Sequence, residues 1–506
     1  MRKIAVSVLV VVGLLSAVVV ARAATPILVA PYPLKIVQPQ AGLNTKHRFY
    51  KAYPGLLYNV RAGVTGGNYP YQHTLTVAPS GMMIDSFTGE IIWPTPTTTA
   101  SPHAVSLQVT DQVGTVATVS WTITVTTRGF RFLDAVNGKT TANGGTGAVD
   151  KPWRTIEDMY EGTSEAASLR DTYKDAFLYF RNGTYQTFKI LATTIPGGIK
   201  PIVWMAYPGE SPLIDASNGG LWFSMNGSSG YFEGFELVKA RWVGVNLRGN
   251  AAGSNSIARK NTFHDLPKPR IPNNNTAALW ADSPNSVIQD NHFYDLSVQY
   301  GIIAFDGARQ VLVENNLFHD LPAPHGWFSH SAIGVKAGCQ MWFIRGNRMY
   351  NLASRGIFIM YENNDDTRDL EVSYNMVTNQ LPGSANFSFY AIPHTRAGLL
   401  YVHHNTFGGN VMVYKMDSTD GPFYFYNNTI VNRASGTPEG SHITLDTVSN
   451  PERVHQIDNL AGYPDDGIVD PDQKSPSLGN LTTAYTRYLG LRGHQLPLRK
   501  PTQKTK

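Results

Sequence analysis

One stretch, from about Ser254 to Asn432, constrains this chain more than any other, because it returns seven times to the same pattern. Short apolar alternation leads to an asparagine, then a bulky apolar residue, and often a closing leucine. The copies read NSIARKNTFHDL from Asn255, NSVIQDNHFYDL from Asn285, RQVLVENNLFHDL from Arg309 and CQMWFIRGNRMYNL from Cys339. They continue as RDLEVSYNMVTNQL from Arg368, GLLYVHHNTFGG from Gly398 and PFYFYNNTIVN from Pro422. The matching asparagines are Asn261, Asn291, Asn316, Asn347, Asn375, Asn405 and Asn428, separated by 30, 25, 31, 28, 30 and 23 residues. Periods of this length mark stacked supersecondary units, none of which buries its apolar side alone. Alternation on two residues, as in VLVE or FYFY, with many β-branched and aromatic residues, makes the units strands and not helices. An asparagine at each turn suits a bend that tolerates left-handed geometry. Stacked in register, asparagine side chains can also hydrogen-bond from coil to coil.

The solution that fits is all-β: a right-handed parallel β-helix preceded by a small Ig-like β-sandwich. Over about Gly129 to Pro471 the chain resembles the pectate-lyase-like β-helix superfamily, whose coils carry such asparagine turns. The segment RFLDAVNGKTTANGGTGAVDKPWRTIEDM, from Arg131 to Met159, resembles the opening of many secreted β-helix proteins. There Thr155 and Asp158 would cap a helix from Ile156 to about Leu169 that shields the open end. Residues 472–506 form a C-terminal segment with a basic tail.

Residues 30–127 change pattern to short strands with turn punctuation at Pro79-Ser80-Gly81 and Thr88-Gly89. The motifs SGMMIDSFTGEIIWPT and VTDQVGT resemble the Ig-like, cadherin-like domains of bacterial surface and secreted proteins. The resemblance implies an accessory or spacer module, in which Asp111 occupies the acidic position of the T-D-x-x-G turn. Ahead of it, Met1-Arg-Lys, an uncharged apolar run of 17 residues and Ala21-Arg22-Ala23 predict a secretory signal peptide, residues 1–23. The expected location is therefore secreted or periplasmic, with no membrane span after cleavage.

Net charge is +5, and removal of Arg2, Lys3 and Arg22 with the signal leaves +2. With no basic stripe, nucleic acid is an unpromising partner. A near-neutral body with local basic positions suits an acidic extracellular polysaccharide, bound by a monomer. The single cysteine, Cys339, excludes an intrachain disulfide, and its apolar neighbours make it a buried structural thiol.

Coils stack about 4.8 Å apart, so equivalent outward positions form columns. Aligning the strands that follow the long loops puts Asp282, Asp306, Lys336, Tyr361 and Glu362 on one face, with Ile303/Phe305 and Ile333/Val335 inward. Arg355 comes from the coil after Lys336. The feeding loops add His325, Trp327 and His330 from one coil and Arg270 from another, with Trp280 as a second sugar platform. His325 and His330 are read as sugar contacts, since no cysteine pair accompanies them as zinc ligands. The recurrent His264-Asp265 and His319-Asp320 are read as turn residues.

IGVKAGCQMWFIRGNRMYN resembles the lysine-bearing coil of chondroitinase B and alginate-lyase-like β-helices. That resemblance implies β-elimination on a uronic-acid polysaccharide with Lys336 as base; from the chemistry such a reaction needs, Tyr361 is an alternative base, Arg355 can neutralise the uronate carboxylate, and Asp306, Asp282 and Glu362 can hold calcium. The family's R-H-G coil is absent; Met360-Tyr361-Glu362 stands there instead. A glycoside hydrolase using two carboxylates, such as Asp282 with Asp306, and a non-catalytic carbohydrate-binding surface protein remain the alternatives. Asp306 and Lys336 could also form no more than a surface ion pair.

Overall fold

In the computed structural model the described residues are 32–40, 48–161, 168–169, 176–186, 190–192, 202–217, 220–223, 230–240, 242–247, 255–267, 275–305, 307–322, 330–353, 355–360, 367–378, 387–393, 398–431, 443–457 and 459–462. The expected signal peptide and basic tail lie outside them.

From Phe130 onward each full coil contributes one strand to each of three parallel sheets, as Arg309–Glu314, Leu317–Leu321 and Ser331–Lys336 do. Among the described residues these sheets hold twelve, eleven and ten strands, and we call them first, second and third in the order the chain visits them. Alternate side chains point into a continuous core, so that Val311 and Val313 face inward while Leu312 faces out. Cys339 is fully buried in that core.

The asparagines stand between first-sheet and second-sheet strands and form the expected ladder. Asn347 is fully buried. Its Oδ1 accepts from the backbone N–H and the Nδ2 of Asn316, at 2.9 and 3.0 Å, and its own Nδ2 donates to Val313 O and Asn375 Oδ1, at 3.0 and 2.9 Å. The ladder runs one rung past the repeats, to Asn459. The left-handed residue, however, is the one before each rung: Lys260, Asp290, Asn315, Gly346, Tyr374, His404 and Asn427 all have positive φ. The asparagine is therefore selected for its amide, which spans the coil spacing. We expect Asn347→Ala to destabilise by about 3 kcal/mol, since each stranded buried partner costs about 1–3 kcal/mol. A shift in urea midpoint worth less than about 1 kcal/mol would count against the ladder as a stabilising element.

Left-handed turns recur at Asp265, Asp295, Asp320 and Asn351, at the far end of the second-sheet strands. The rings of His264, Tyr294, His319 and Tyr350 stack from coil to coil beside them, at centroid distances of 4.8, 5.3 and 5.0 Å. This matches a structural role for the recurrent HDL turn.

The expected capping helix takes another form. A single 3-10 turn, Glu157–Met159, is followed by Tyr160–Glu161, which pairs antiparallel with Ser168–Leu169. Trp153, Ile156 and Met159 all enter the core. Their spacing of three places them on one side of a 3-10 turn. Asp158 still ties the turn, accepting from Thr155 Oγ1 at 2.9 Å and from the Thr141 N–H at 2.7 Å.

The N-terminal domain has a four-stranded sheet, a three-stranded sheet and a two-stranded one. Gly81 and Gly89 take positive φ in the two expected turns. Asp111 caps its own loop: its oxygens accept the backbone N–H groups of Asn68, Val113 and Thr115, at 2.9, 3.1 and 2.7 Å.

This domain packs against the β-helix. It lies along the flank of the β-helix, and outward side chains of the first sheet, including Tyr231, Ile257, Val287, Leu312 and Phe343, join its own core. Gly63 allows the close approach, since a Cβ there would stand 2.9 Å from a Val287 methyl carbon. Polar contacts seal the seam. Arg259 donates to Asn59 Oδ1 at 2.9 Å, and Tyr374 donates to Tyr69 O at 3.0 Å. Buried Arg61 and Arg345 converge on the buried carboxylate of Glu314.

Candidate functional site

The outward face of the third sheet is the other unusual surface, and it follows the long connections from the second sheet. A solvated strand face would carry polar residues. This one clusters Ala277, Tyr300, Ile303, Phe358 and Tyr390, with Trp280, Phe305, Met360, Phe387, Ile392, Met412 and Tyr414 packed around them.

Register places the sequence-derived residues. Ala304 pairs with Val335 and Lys336 with Met360, while Ile302, Ala304, Ile333 and Val335 all face the interior. The expected phase of the GIIAFDG strand was therefore one residue out: Ile302 and Ala304 point inward, and Ile303 and Phe305 point outward. Apolar residues on both faces remove the alternation that would have set the phase. Phe305 is the neighbour of Lys336 in the preceding coil, and Met360 is its neighbour in the next.

Lys336 does face outward, yet it is only 5% exposed. Its Nζ lies over the Phe305 and Tyr300 rings, 5.1 and 5.6 Å from their centroids, in cation–π geometry. Gly334, also on this strand, makes room for Tyr300, since a Cβ there would meet the ring at 2.9 Å. Arg355 opens the next third-sheet strand opposite Ser331, and its guanidinium lies 4.6 Å from both the Phe358 and the Tyr390 centroids. Burial pulls the Arg355 guanidinium below its ordinary value, although the Tyr390 and Tyr300 phenols oppose the shift. Burial also pushes His330 down to about 3, helped by the Arg355 charge, so this imidazole is neutral at any working pH. Asp282 Oδ1 accepts the Phe305 N–H at 2.6 Å, which holds one coil to the next.

Lys336, Arg355, His330, Trp280 and Asp282 thus share one face. Tyr361, Glu362, Asp306, His325, Trp327 and Arg270 lie outside the described residues. Among the described residues no group of three or more His, Cys, Asp or Glu side chains is arranged to hold a metal ion. Sequence reading missed Tyr300, Phe358, Tyr390 and the whole strand Phe387–Ile392. Their signal is an aromatic residue at an outward position in successive coils, which by itself looks like core.

This architecture defines the class: a right-handed parallel β-helix with an N-terminal Ig-like domain. Residues 220–436 match the profile described as "Right handed beta helix region", and residues 36–126 match the one described as "Putative Ig domain". A search of curated proteins finds no match to the sequence. Among solved structures, a tailspike protein of E. coli bacteriophage HK620 in complex with a hexasaccharide is similar at 13% identity and a TM-score of 0.40. That match covers 60% of this chain and 57% of the tailspike chain. A lacto-N-biosidase from Eubacterium ramulus matches at 11% identity and a TM-score of 0.31, covering 66% of this chain and 68% of the other. A mannuronic-acid-specific polysaccharide lyase from human gut microbiota matches at 12% and 0.28, covering 62% and 84%. Likeness at this level carries nothing about chemistry.

Proposed function

We propose that the protein is exported and binds an acidic extracellular polysaccharide on the outward face of the third sheet, cleaving it by β-elimination. The observation that supports this most is the setting of two cations, Lys336 and Arg355, in an aromatic floor. Sugar rings stack on aromatic faces, and a uronate carboxylate pairs with lysine or with the planar guanidinium. In the reaction a base removes the proton alpha to the uronate carboxyl. The electrons form the ring double bond, the bond to the leaving glycosidic oxygen breaks, and that oxygen takes up a proton. Lys336 is the proposed base, and Arg355 would neutralise the carboxylate as enolate charge develops. Tyr300 lies under Lys336 and contributes to the electrostatics of Arg355, so it sits between the two cations.

The test is absorbance of the unsaturated uronate during incubation with alginate, polygalacturonate, chondroitin sulfate or heparin, with and without calcium. We expect a rise on one polymer, and Lys336→Ala should slow it by about 10²–10⁴-fold, the usual worth of a positioned general base. Reducing ends without absorbance would replace elimination by hydrolysis. The ring contacts around both cations also favour binding without cleavage, and binding with neither product would establish that reading.

A further inference from the structure

We infer that Asn246 is a sugar-recognition residue of the third-sheet face, its carboxamide set to meet a donor and an acceptor that stand side by side on a bound sugar. The inference rests on the carbohydrate reading above and adds to it a polar contact away from the two cations. Asn246 lies in the strand Val243–Leu247, where Val245 and Leu247 enter the core, so its own side chain points outward. It is 0% exposed, yet neither Oδ1 nor Nδ2 has a hydrogen-bond partner. Among the described residues it is the one carboxamide with both ends buried and unpaired. The buried asparagines of the ladder, such as Asn347, use both ends.

Register sets what stands beside it. Trp280 occupies the matching position of the next coil, and Ile303 and Gly334 continue the row. Trp280 Nε1 is buried and unpaired as well. Lys336 stands two residues beyond Gly334 on the same strand, three coils after Asn246. The offset is about 14 Å along the stack and about 7 Å along the strand, which one short oligosaccharide bridges. Lys336 and Arg355 are 5% and 2% exposed, so the amide and the cations are hidden to nearly the same degree. A buried amide without a partner costs free energy, and an apolar group of the same shape removes that cost. Such a group is kept where a water or a ligand satisfies it. Its outward aim, on the face that carries Lys336 and beside the Trp280 indole, favours the ligand. Two adjacent ring hydroxyls, or an acetamido group, supply the complement: Oδ1 accepts one hydrogen bond, Nδ2 donates another, and Trp280 Nε1 donates a third.

The experiment compares Asn246→Leu with the unsubstituted protein by urea midpoint and by calorimetric titration with size-defined oligomers of alginate, polygalacturonate and chondroitin. Leucine keeps the shape and removes the polar ends. We expect the midpoint to hold or rise while the best-bound oligomer weakens by about tenfold, which is about 1.4 kcal/mol. Trp280→Phe, which keeps a ring and removes Nε1, should weaken the same oligomer by a smaller factor. A loss seen on alginate or polygalacturonate assigns the hydroxyl pair, and one seen on chondroitin but not on its N-deacetylated form assigns the acetamido group. A lower midpoint with unchanged affinity would mean that the amide serves a structural water, and the inference fails while the site around Lys336 stands. If the unsubstituted protein binds no oligomer, the carbohydrate reading falls, and this inference with it.

Discussion

Glu314→Gln should destabilise the protein by about 3–5 kcal/mol, the range for breaking a buried ion pair from one side. The Glu314 carboxylate is 6% exposed. Oε1 accepts from Arg345 Nε and Nη2, at 3.0 and 2.7 Å, and Oε2 accepts from Arg61 Nη2 and Gln289 Nε2, at 3.0 and 2.7 Å. Both guanidiniums are buried as well, and Arg345 is also flanked by the Tyr69 and Tyr71 rings at 4.8 and 4.7 Å. Glutamine keeps the shape but leaves two buried cations with less than their compensating charge. Arg61 also pairs with Asp290 at 2.6 Å, so Arg345 suffers more. The pH dependence follows from the sign of the shift. Burial alone would raise the Glu314 carboxyl, but Arg345 and Arg61 outweigh it and hold the group below its ordinary value of 4.5. Its stabilisation is therefore complete above that value and is lost as pH falls through the lower folded-state value. Urea midpoints measured against pH should show a wide gap between Glu314→Gln and the unsubstituted protein at neutrality, closing only in acid. A gap below about 1 kcal/mol at pH 7 would sink the argument. If Arg345→Met is added to Glu314→Gln, part of the loss should return, because the uncompensated charge leaves the seam.

Removing residues 32–127 should leave a β-helix that does not stay soluble. The deletion uncovers a column of first-sheet side chains, including Phe177, Tyr231, Ile257, Val287, Leu312 and Phe343, each at most 2% exposed in the intact protein. Exposing each large apolar side chain costs about 1.5–3 kcal/mol, and together they form a contiguous patch of the kind soluble monomers avoid. Size-exclusion chromatography of the truncated protein should show aggregates or nothing soluble. Charged substitutions at Val287, Leu312 and Phe343 in the truncated protein should restore part of the soluble fraction. A soluble, monomeric truncation with the strand signature of the full protein would mean that the domain is a spacer.

Both effects involve contacts across the seam between the two domains, such as Arg61 with Glu314, 253 positions apart, and these were not legible in the sequence. Arg61 gives no sign that its partner is Glu314, and Leu312 reads as core in either setting. The same ambiguity misplaced Phe305. In GIIAFDG every candidate phase buries something apolar, and only pairing with the next coil chooses between them. Lys336, His330, Trp280 and Asp282 were legible as a group because each falls in, or within two residues of, a strand that follows a long connection; Arg355 opens the strand of the next coil, and equivalent positions of stacked coils must be neighbours.

What the sequence determined alone is therefore what repeats. Two-residue alternation and a recurring asparagine are local instructions, and stacking satisfies them in one way, with every amide bonded to the coils on either side. What only the tertiary structure decided is the fate of the outward faces. A parallel strand has an inner face that the solenoid always buries and an outer face whose environment depends on what folds against it. The first sheet's outer face is covered by the Ig-like domain, while the third sheet's outer face gathers aromatic rings and cations into a candidate site. Apolar residues look alike in both places, because hydrophobic burial has no direction and leaves no mark in the sequence of which partner supplies it.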